Sequence, residues 1–239
     1  MTVKLKRMTS GRPPVALLAA LPLEAEALAR RLGPDGEGEL EGQPVVLMLT
    51  GVGKVAAARA TQLVCDRHAP RLIINFGLAG GVESDGQPGR VIIASGAVQH
   101  DYDARPIAAS RGEMPGLGIS VFPAHPDTAV ALARAAERII AEGGVVRSGI
   151  VLTGDQIITS RKLRDQTLAE FPGGACFDME TAAVAQVAHV NGVPWGAVRI
   201  TSDAADESFE MNEVMAFGSG TAADLFDQIV REFLRSSRA

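Results

Sequence analysis

The chain of 239 residues is 46% hydrophobic and 21% charged, an ordinary globular composition with enough apolar material for one large core. Its formal net charge is −5 and its 23 basic residues are scattered, so neither a nucleic acid nor an anionic membrane is indicated as partner and a small-molecule ligand is favoured. Cys65 and Cys176 lie far apart in apolar surroundings, without the spacing of a zinc site or the density of a disulfide scaffold. Both read as reduced core thiols, which fits a cytoplasmic protein.

Lys4, Lys6 and Arg7 precede the apolar run Val15–Leu21 and imitate the start of a secretion signal. The run is short, Gly11, Pro13 and Pro14 separate it from the charges, and Glu24 and Glu26 follow closely. A leader over residues 1–14 and then a first buried strand explain the segment better, so the folded domain is expected over 15–239. No apolar stretch approaches the ~20 residues that cross a bilayer as a helix.

Apolar runs of strand length recur at Val15–Leu21, Val45–Thr50, Leu72–Gly77, Val91–Ala97, Gly149–Thr153 and Trp195–Thr201, and such runs suit strands buried on both faces. Helical periodicity marks Glu24–Leu32, Lys54–Arg67, Asp127–Glu142, Arg161–Phe171, Met179–Asn191 and Thr221–Leu234. The alternation predicts a single α/β domain with a largely parallel, mixed central sheet flanked by helices. The long segment His100–Pro126 reads as an ordered functional loop.

In open α/β sheets ligands collect outside the carboxyl ends of the strands, so residues just after each run carry most of the functional information. Glu24 follows the first run. Thr50-Gly51-Val52-Gly53-Lys54 opens a helix whose free N–H groups could hold an anion or a hydroxyl, but it lacks the spacing of a P-loop or dinucleotide fingerprint, which excludes assigning a nucleoside triphosphate or NAD. The glycines of Gly77-Leu78-Ala79-Gly80-Gly81 permit positive φ and close approach to a ligand, or simply make a tight strand exit. Asp178 and Glu180 stand where a short strand becomes a helix. Being two residues apart on a helix, they cannot both face one pocket, so one is expected to be structural. Arg199 interrupts an apolar strand and must find carboxylates or ligand oxygens to offset its desolvation. Strand alternation puts Arg199, Thr201 and Asp203 on one face. Glu24, Glu180 and Asp203 are then three acids expected at one edge of the sheet. Histidine offers less. His68 and His189 fall late in helices, where a partly exposed imidazole is ordinary, and the lone His100 in His100-Asp101-Tyr102-Asp103 reads as a structural turn rather than a metal ligand.

Taken together, Leu18–Glu24, Thr50–Val55, Ile73–Gly81, Gly154-Asp155, Phe177–Thr181 and Val198–Asp206 resemble, in order and spacing, the 5′-methylthioadenosine/S-adenosylhomocysteine nucleosidases, which share the purine nucleoside phosphorylase type of fold. The resemblance implies that Asp203 protonates the purine, that Glu24 is the base for the attacking water, and that Arg199 helps to hold Glu24 and the water. It implies further that Glu180 binds the ribose hydroxyls, that Met179 lies against the sugar, and that Val52, Leu78, Ala79, Gly80, Ile157, Ile158, Phe177, Ser202 and Phe209 complete the substrate site. No metal and no cofactor is implied. It also implies a place in methionine salvage and a two-fold homodimer, and the loop His100–Pro126, with Tyr102, Met114 and Phe122, is apolar enough to be expected to close a neighbour's 5′ pocket. Two positions depart from the family pattern: Leu78 replaces a small hydroxyl residue, and Ile157 replaces an aromatic ring against adenine, a contact that Phe177 could partly supply.

The chemistry points the same way. Breaking an N-glycosidic bond leaves positive charge on the sugar and negative charge on the base, so a protonated acid at the base and a carboxylate beneath the sugar both lower the barrier, as two carboxyl groups do in inverting glycosidases. Ala19–Glu26 offers two acids and no arginine. A carboxylate repels phosphate and activates water, so hydrolysis is expected rather than phosphorolysis. The alternatives are a related nucleosidase for a different 5′ group, of futalosine or adenosyl-lipid type, and a nucleoside-binding protein, although a binder has no need for both Glu24 and Asp203.

Overall fold

The computed structural model describes residues 11–83, 87–140 and 144–237. Lys4, Lys6 and Arg7 of the expected leader, the end of the helix expected to reach Glu142, and the last two residues of the expected domain lie outside these ranges.

The expected runs form strands β1 (Val15–Ala19), β3 (Gln43–Leu49), β4 (Leu72–Gly81), β5 (Val91–Gln99), β7 (Val146–Thr153) and β9 (Trp195–Asp203), joined by β8 (Gly174–Asp178). Two short strands were not expected, β2 (Glu37–Leu40) at one sheet edge and β6 (Val121–Pro123) at the other. The order along the sheet is β2-β3-β1-β4-β8-β7-β5-β6, with β9 paired to both β4 and β5. Strands β4, β8, β7, β5 and β9 therefore close into a ring. Parallel pairings join β1 with β3 and β4, β4 with β9, and β7 with β5 and β8, whereas β2–β3, β4–β8, β5–β6 and β5–β9 are antiparallel.

The helices are α1 (Pro22–Ala29), α2 (Lys54–His68), α3 (Pro126–Ile139), α4 (Arg161–Glu170), α5 (Thr181–Val190), α6 (Met211–Phe217) and α7 (Ala223–Ser236), the last two joined by a π-helical turn over Gly218–Ala222. One core cluster packs α1, α3 and α7 against the sheet through Leu28, Leu132, Phe226 and Phe233. A second packs α2 and α5 on the other face through Val64 and Val184. Strand residues alternate between the two: Val198 and Ile200 enter the first cluster, Trp195 and Ala197 the second.

The segment His100–Pro126 differs from its expected role. Met114 and Phe122 are buried in the second core cluster and Tyr102 packs against it, because β6 pairs with β5 and draws the segment inward. Met114 and Phe122 therefore serve this chain's own core. Cys65 and Cys176 are free thiols in or against the same cluster, as expected. Among the described residues no helix is long and apolar enough to cross a membrane.

Candidate active site

A cleft of about 420 Å³ opens at the carboxyl ends of β1, β4 and β9. It is lined by Glu24, Glu180 and Asp203, and by Val52, Leu78, Ala79, Gly80, Ile157, Ile158, Phe177, Met179, Ser202 and Phe209. Every expected site residue except Arg199 thus faces one space. Arg199 lies immediately behind the wall and is 1% exposed.

Glu24 sits in the first turn of α1, whose N-cap, Leu21, has no side-chain acceptor. The Glu24 carboxylate supplies the acceptor instead. Its Oε2 accepts the N–H groups of Ala20 at 3.0 Å and Leu21 at 2.8 Å, as the acid of a capping box does. Oε1 accepts the N–H of Leu78 at 2.8 Å. Burial pushes the Glu24 carboxyl above its usual range, against the opposing pull of these three N–H groups and of the Arg199 cation. Gly77 makes the arrangement sterically possible. A Cβ there would lie 2.7 Å from Glu24 Oε1 and closer still to Arg199 Nη1. The glycine-rich segment is therefore not a strand exit with positive φ: β4 runs through it, and the missing side chains admit Glu24 and Arg199.

Asp178 and Glu180 both border the cleft, contrary to the expectation that only one could, because both precede the helix, which starts at Thr181; one of them is nevertheless structural. The side chain of Asp178 is fully buried and forms an ion pair with Arg199 Nη2 at 2.6 Å. It also accepts the N–H of Thr181 at 2.8 Å and the hydroxyls of Thr181 and Thr153. Arg199 donates from Nε to the Thr181 hydroxyl at 2.9 Å and from Nη2 to Asn75 Oδ1. Its direct carboxylate partner is thus Asp178, and its charge reaches Glu24 and Glu180 through space. Glu180 faces the cleft and accepts the N–H of Gly53 at 2.9 Å. The first N–H groups of α2 are accordingly bound by protein carboxylates, with Lys54 N–H going to Asp155 at 2.8 Å.

Burial, and then the neighbouring Asp178 charge, push Glu180 up to about 7 despite the offset from Arg199. A carboxyl raised above its ordinary 4.5 stabilises the fold fully below that value and loses the contribution as pH rises through about 7. Glu180→Gln keeps an acceptor for Gly53 and cannot ionise. Its melting temperature relative to the parent is expected to climb between pH 5 and pH 8, by the equivalent of up to about 3 kcal/mol. A difference that stays flat over that range would show that Glu180 does not titrate there.

Asp203 reaches the cleft through an irregularity. The pairing of β4 with β9 slips between Ala79 and Gly80, so Ser202 is an extra residue in β9. The simple alternation of Arg199, Thr201 and Asp203 is therefore broken. The Thr201 hydroxyl turns to the backbone of residues 87–90, accepting the N–H of Arg90 and donating to the Gln87 carbonyl, while both Ser202 and Asp203 line the cleft. Asp203 Oδ2 accepts the Ser202 hydroxyl and Oδ1 the N–H of Ala205, each at 2.8 Å. Burial raises this carboxyl too, opposed by those two bonds.

Other lining residues were not singled out in the sequence. Ala20, Leu21, Gln156 and Ala205 flank the acids, and Met211, Val214 and Met215 form one face of α6 above the cleft. Their i, i+3, i+4 spacing was a readable signal for that helix. Gly218 lets the roof come down, since a Cβ there would stand 2.9 Å from Leu78 and nearer to Leu23. Outside the cleft, His68 lies 3.6 Å from Glu37 and His189 packs edge-on against Phe122. His100 is buried against Phe177. Among the described residues no group of histidines, cysteines and acids could hold a metal.

The fold and cleft place the chain in a class that family comparison also identifies: residues 14–235 match the model of the phosphorylase superfamily. The 5′-methylthioadenosine/S-adenosylhomocysteine nucleosidase of Actinobacillus succinogenes is 36% identical over 171 residues, which cover 71% of this chain and 72% of that protein. The nucleosidase of Neisseria meningitidis, solved with methylthio-immucillin-A, superposes with a TM-score of 0.85 at 30% identity, over 94% of this chain and 100% of that one. That of Streptococcus pyogenes, solved with 5-methylthiotubericidin, gives 0.86 at 27% identity over 96% and 99%. The chain belongs to the 5′-methylthioadenosine/S-adenosylhomocysteine nucleosidase family, whose members are N-glycosyl hydrolases.

Proposed function

We propose that this chain hydrolyses the N-glycosidic bond of 5′-thio-substituted adenosines, 5′-methylthioadenosine and S-adenosylhomocysteine, releasing adenine by direct attack of water. The observation that carries the reading is a pair of buried carboxyls, Glu24 and Asp203, in one cleft with unlike surroundings. Glu24 has three N–H donors and the field of Arg199 to favour its ionised form. Asp203 has two donors that favour its ionised form and, in place of a cation, a further acid, Asp206, that favours the protonated form. Burial raises both carboxyls, and the cation beside one and the further acid beside the other are the difference that assigns base and acid. Glu24 takes a proton from water, the water oxygen bonds to the anomeric carbon, and the carbon–nitrogen bond breaks as Asp203 gives its proton to the purine. Glu180 is assigned to the ribose hydroxyls, with Met179 and Phe209 against the sugar and Phe177, Ile157 and Ile158 against the base.

The apolar face of Met211, Val214 and Met215, with Val52 and Leu78, suits a thioether at the 5′ position. A two-fold homodimer belongs to the same reading and is supported by three exposed apolar side chains close together in sequence at the cleft, Leu49, the cleft-lining Val52 and Val55. A cytoplasmic location and a part in methionine salvage follow from the substrate.

Among the described residues that line the cleft none is an arginine or a lysine, which argues against phosphate as co-substrate. Adenine release from several nucleosides, with and without phosphate, tests the reading. Free sugar is expected, at a rate that phosphate does not raise. Sugar 1-phosphate as the main product would make the chain a phosphorylase, and tight binding without adenine release would make it a binder.

A further inference from the structure

The turn that carries Asp203 is gripped from outside the cleft by α4. Arg164, with a side chain only 5% exposed, donates from Nη1 to the carbonyl of Ala204 at 3.0 Å and from Nε to Asp165 Oδ1 at 2.9 Å. Its Nη1 also lies 3.8 Å from Asp206 Oδ2. One turn earlier, Arg161 Nη2 lies 3.2 Å from the same oxygen, and the Arg161 N–H donates to Glu207 at 3.0 Å. Asp206 in turn accepts the N–H and hydroxyl of Ser208 through Oδ1.

This turn has reason to be held. Ala205 has φ +50°, in the left-handed region that costs a residue with a side chain roughly 1–2 kcal/mol. Its N–H is the donor to Asp203 Oδ1, so relaxation of Ala205 would carry the carboxyl with it. On the β4 side there is no slack, since a Cβ on Gly80 would already stand 3.0 Å from the Ala205 Cβ. A buried position on α4 that merely sealed the helix to the sheet would be served at least as well by an apolar side chain, because burying a guanidinium carries a desolvation cost. Here the cation instead points at the carbonyl directly after Asp203.

We propose that Arg164 is a positioning residue for proton transfer to the leaving base, fixing the Asp203–Ala205 turn through the Ala204 carbonyl and Asp206. The inference rests on Asp203 being the general acid. The same helix begins just after Ile157 and Ile158, so α4 ties the wall on which the base is expected to lie to the turn that protonates it.

Two substrates separate this role from a structural one. In 5′-methylthioadenosine the leaving base needs a proton, whereas a 4-nitrophenyl 5-methylthioriboside loses a stable phenolate without one. Arg164→Met is expected to lower kcat on the nucleoside roughly 10- to 100-fold with KM nearly unchanged, and to spare the nitrophenyl substrate. Arg164→Lys should fall between. The alkaline limb of the nucleoside kcat profile should move to lower pH in Arg164→Met as Asp203 gains solvent. Equal losses on both substrates by a folded variant, an unshifted alkaline limb, or full nucleoside turnover each overturn the role. Should Arg164→Met fail to fold, Arg164→Lys carries the test and must show the same substrate selectivity at smaller size, and its absence counts equally against the proposal. Asp203→Asn, measured alongside, reports on the underlying reading: if it retains nucleoside turnover, the acid assignment fails, whereas its loss beside an unaffected Arg164→Met refutes only the role of Arg164.

Discussion

Asp203→Asn is expected to lower adenine release about 10²- to 10⁴-fold while leaving the affinity for a non-cleavable adenosine analogue nearly unchanged. The geometry makes asparagine a demanding test. Asp203 accepts the N–H of Ala205 and the hydroxyl of Ser202, and an amide oxygen can keep the first of these. If Asp203 served only to shape the turn, Asn would be a good substitute and turnover would stay near that of the parent. The amide lacks a proton it can give up usefully, so an acid role predicts loss of chemistry without loss of binding. Burial raises the Asp203 carboxyl, hence it remains protonated to higher pH than an exposed aspartate, and the parent's kcat should fall on the alkaline side as Asp203 ionises. Glu24 must be ionised to act as base, which sets the acid limb in the opposite sense. An Asn variant with more than about a tenth of parental turnover would count against the acid role.

The alternation of apolar runs and helical periodicity made the sheet, its flanking helices and the carboxyl-end location of the site legible, because buried strands must be apolar on both faces. What escaped were features whose cause is tertiary. Strand β2, with the sequence Glu-Gly-Glu-Leu, has no apolar run and exists only as an exposed edge partner of β3. Strand β6 is three residues long inside a segment read as an ordered functional loop, and it pulls Phe122 wholly into the core. The three acids were readable as residues at strand ends, but the extra Ser202 in β9 was not, and it decides that Asp203 rather than Thr201 reaches the cleft. Arg164 was equally hidden. It lies among polar neighbours on α4, where a charge ordinarily marks a solvated face, and only the fold shows it buried against the Asp203 turn.

Arg199→Met is expected to destabilise the protein by about 3–5 kcal/mol, because the substitution leaves the wholly buried Asp178 carboxylate without its cation. For a domain of this size that corresponds to a melting temperature lower by roughly 10 °C. Methionine preserves most of the volume, so the loss reports on charge rather than on a cavity. The effect should also depend on pH. Arg199 opposes the rise of the Glu24 and Glu180 carboxyls, so its removal lifts both further above their ordinary values. Each then costs more to ionise, and the destabilisation should grow as pH increases from 5 to 8. Catalysis should suffer on the acid side for the same reason, since Glu24 would reach its basic form only at higher pH. The double variant Asp178→Asn/Arg199→Met supplies the control. If Asp178 is the principal partner, removing both charges should recover much of the stability lost with Arg199 alone, while the acid limb of kcat stays displaced because Glu24 still lacks its cation. A double variant as unstable as Arg199→Met would mean that the cost lies in the lost bonds to Thr181 and Asn75 instead.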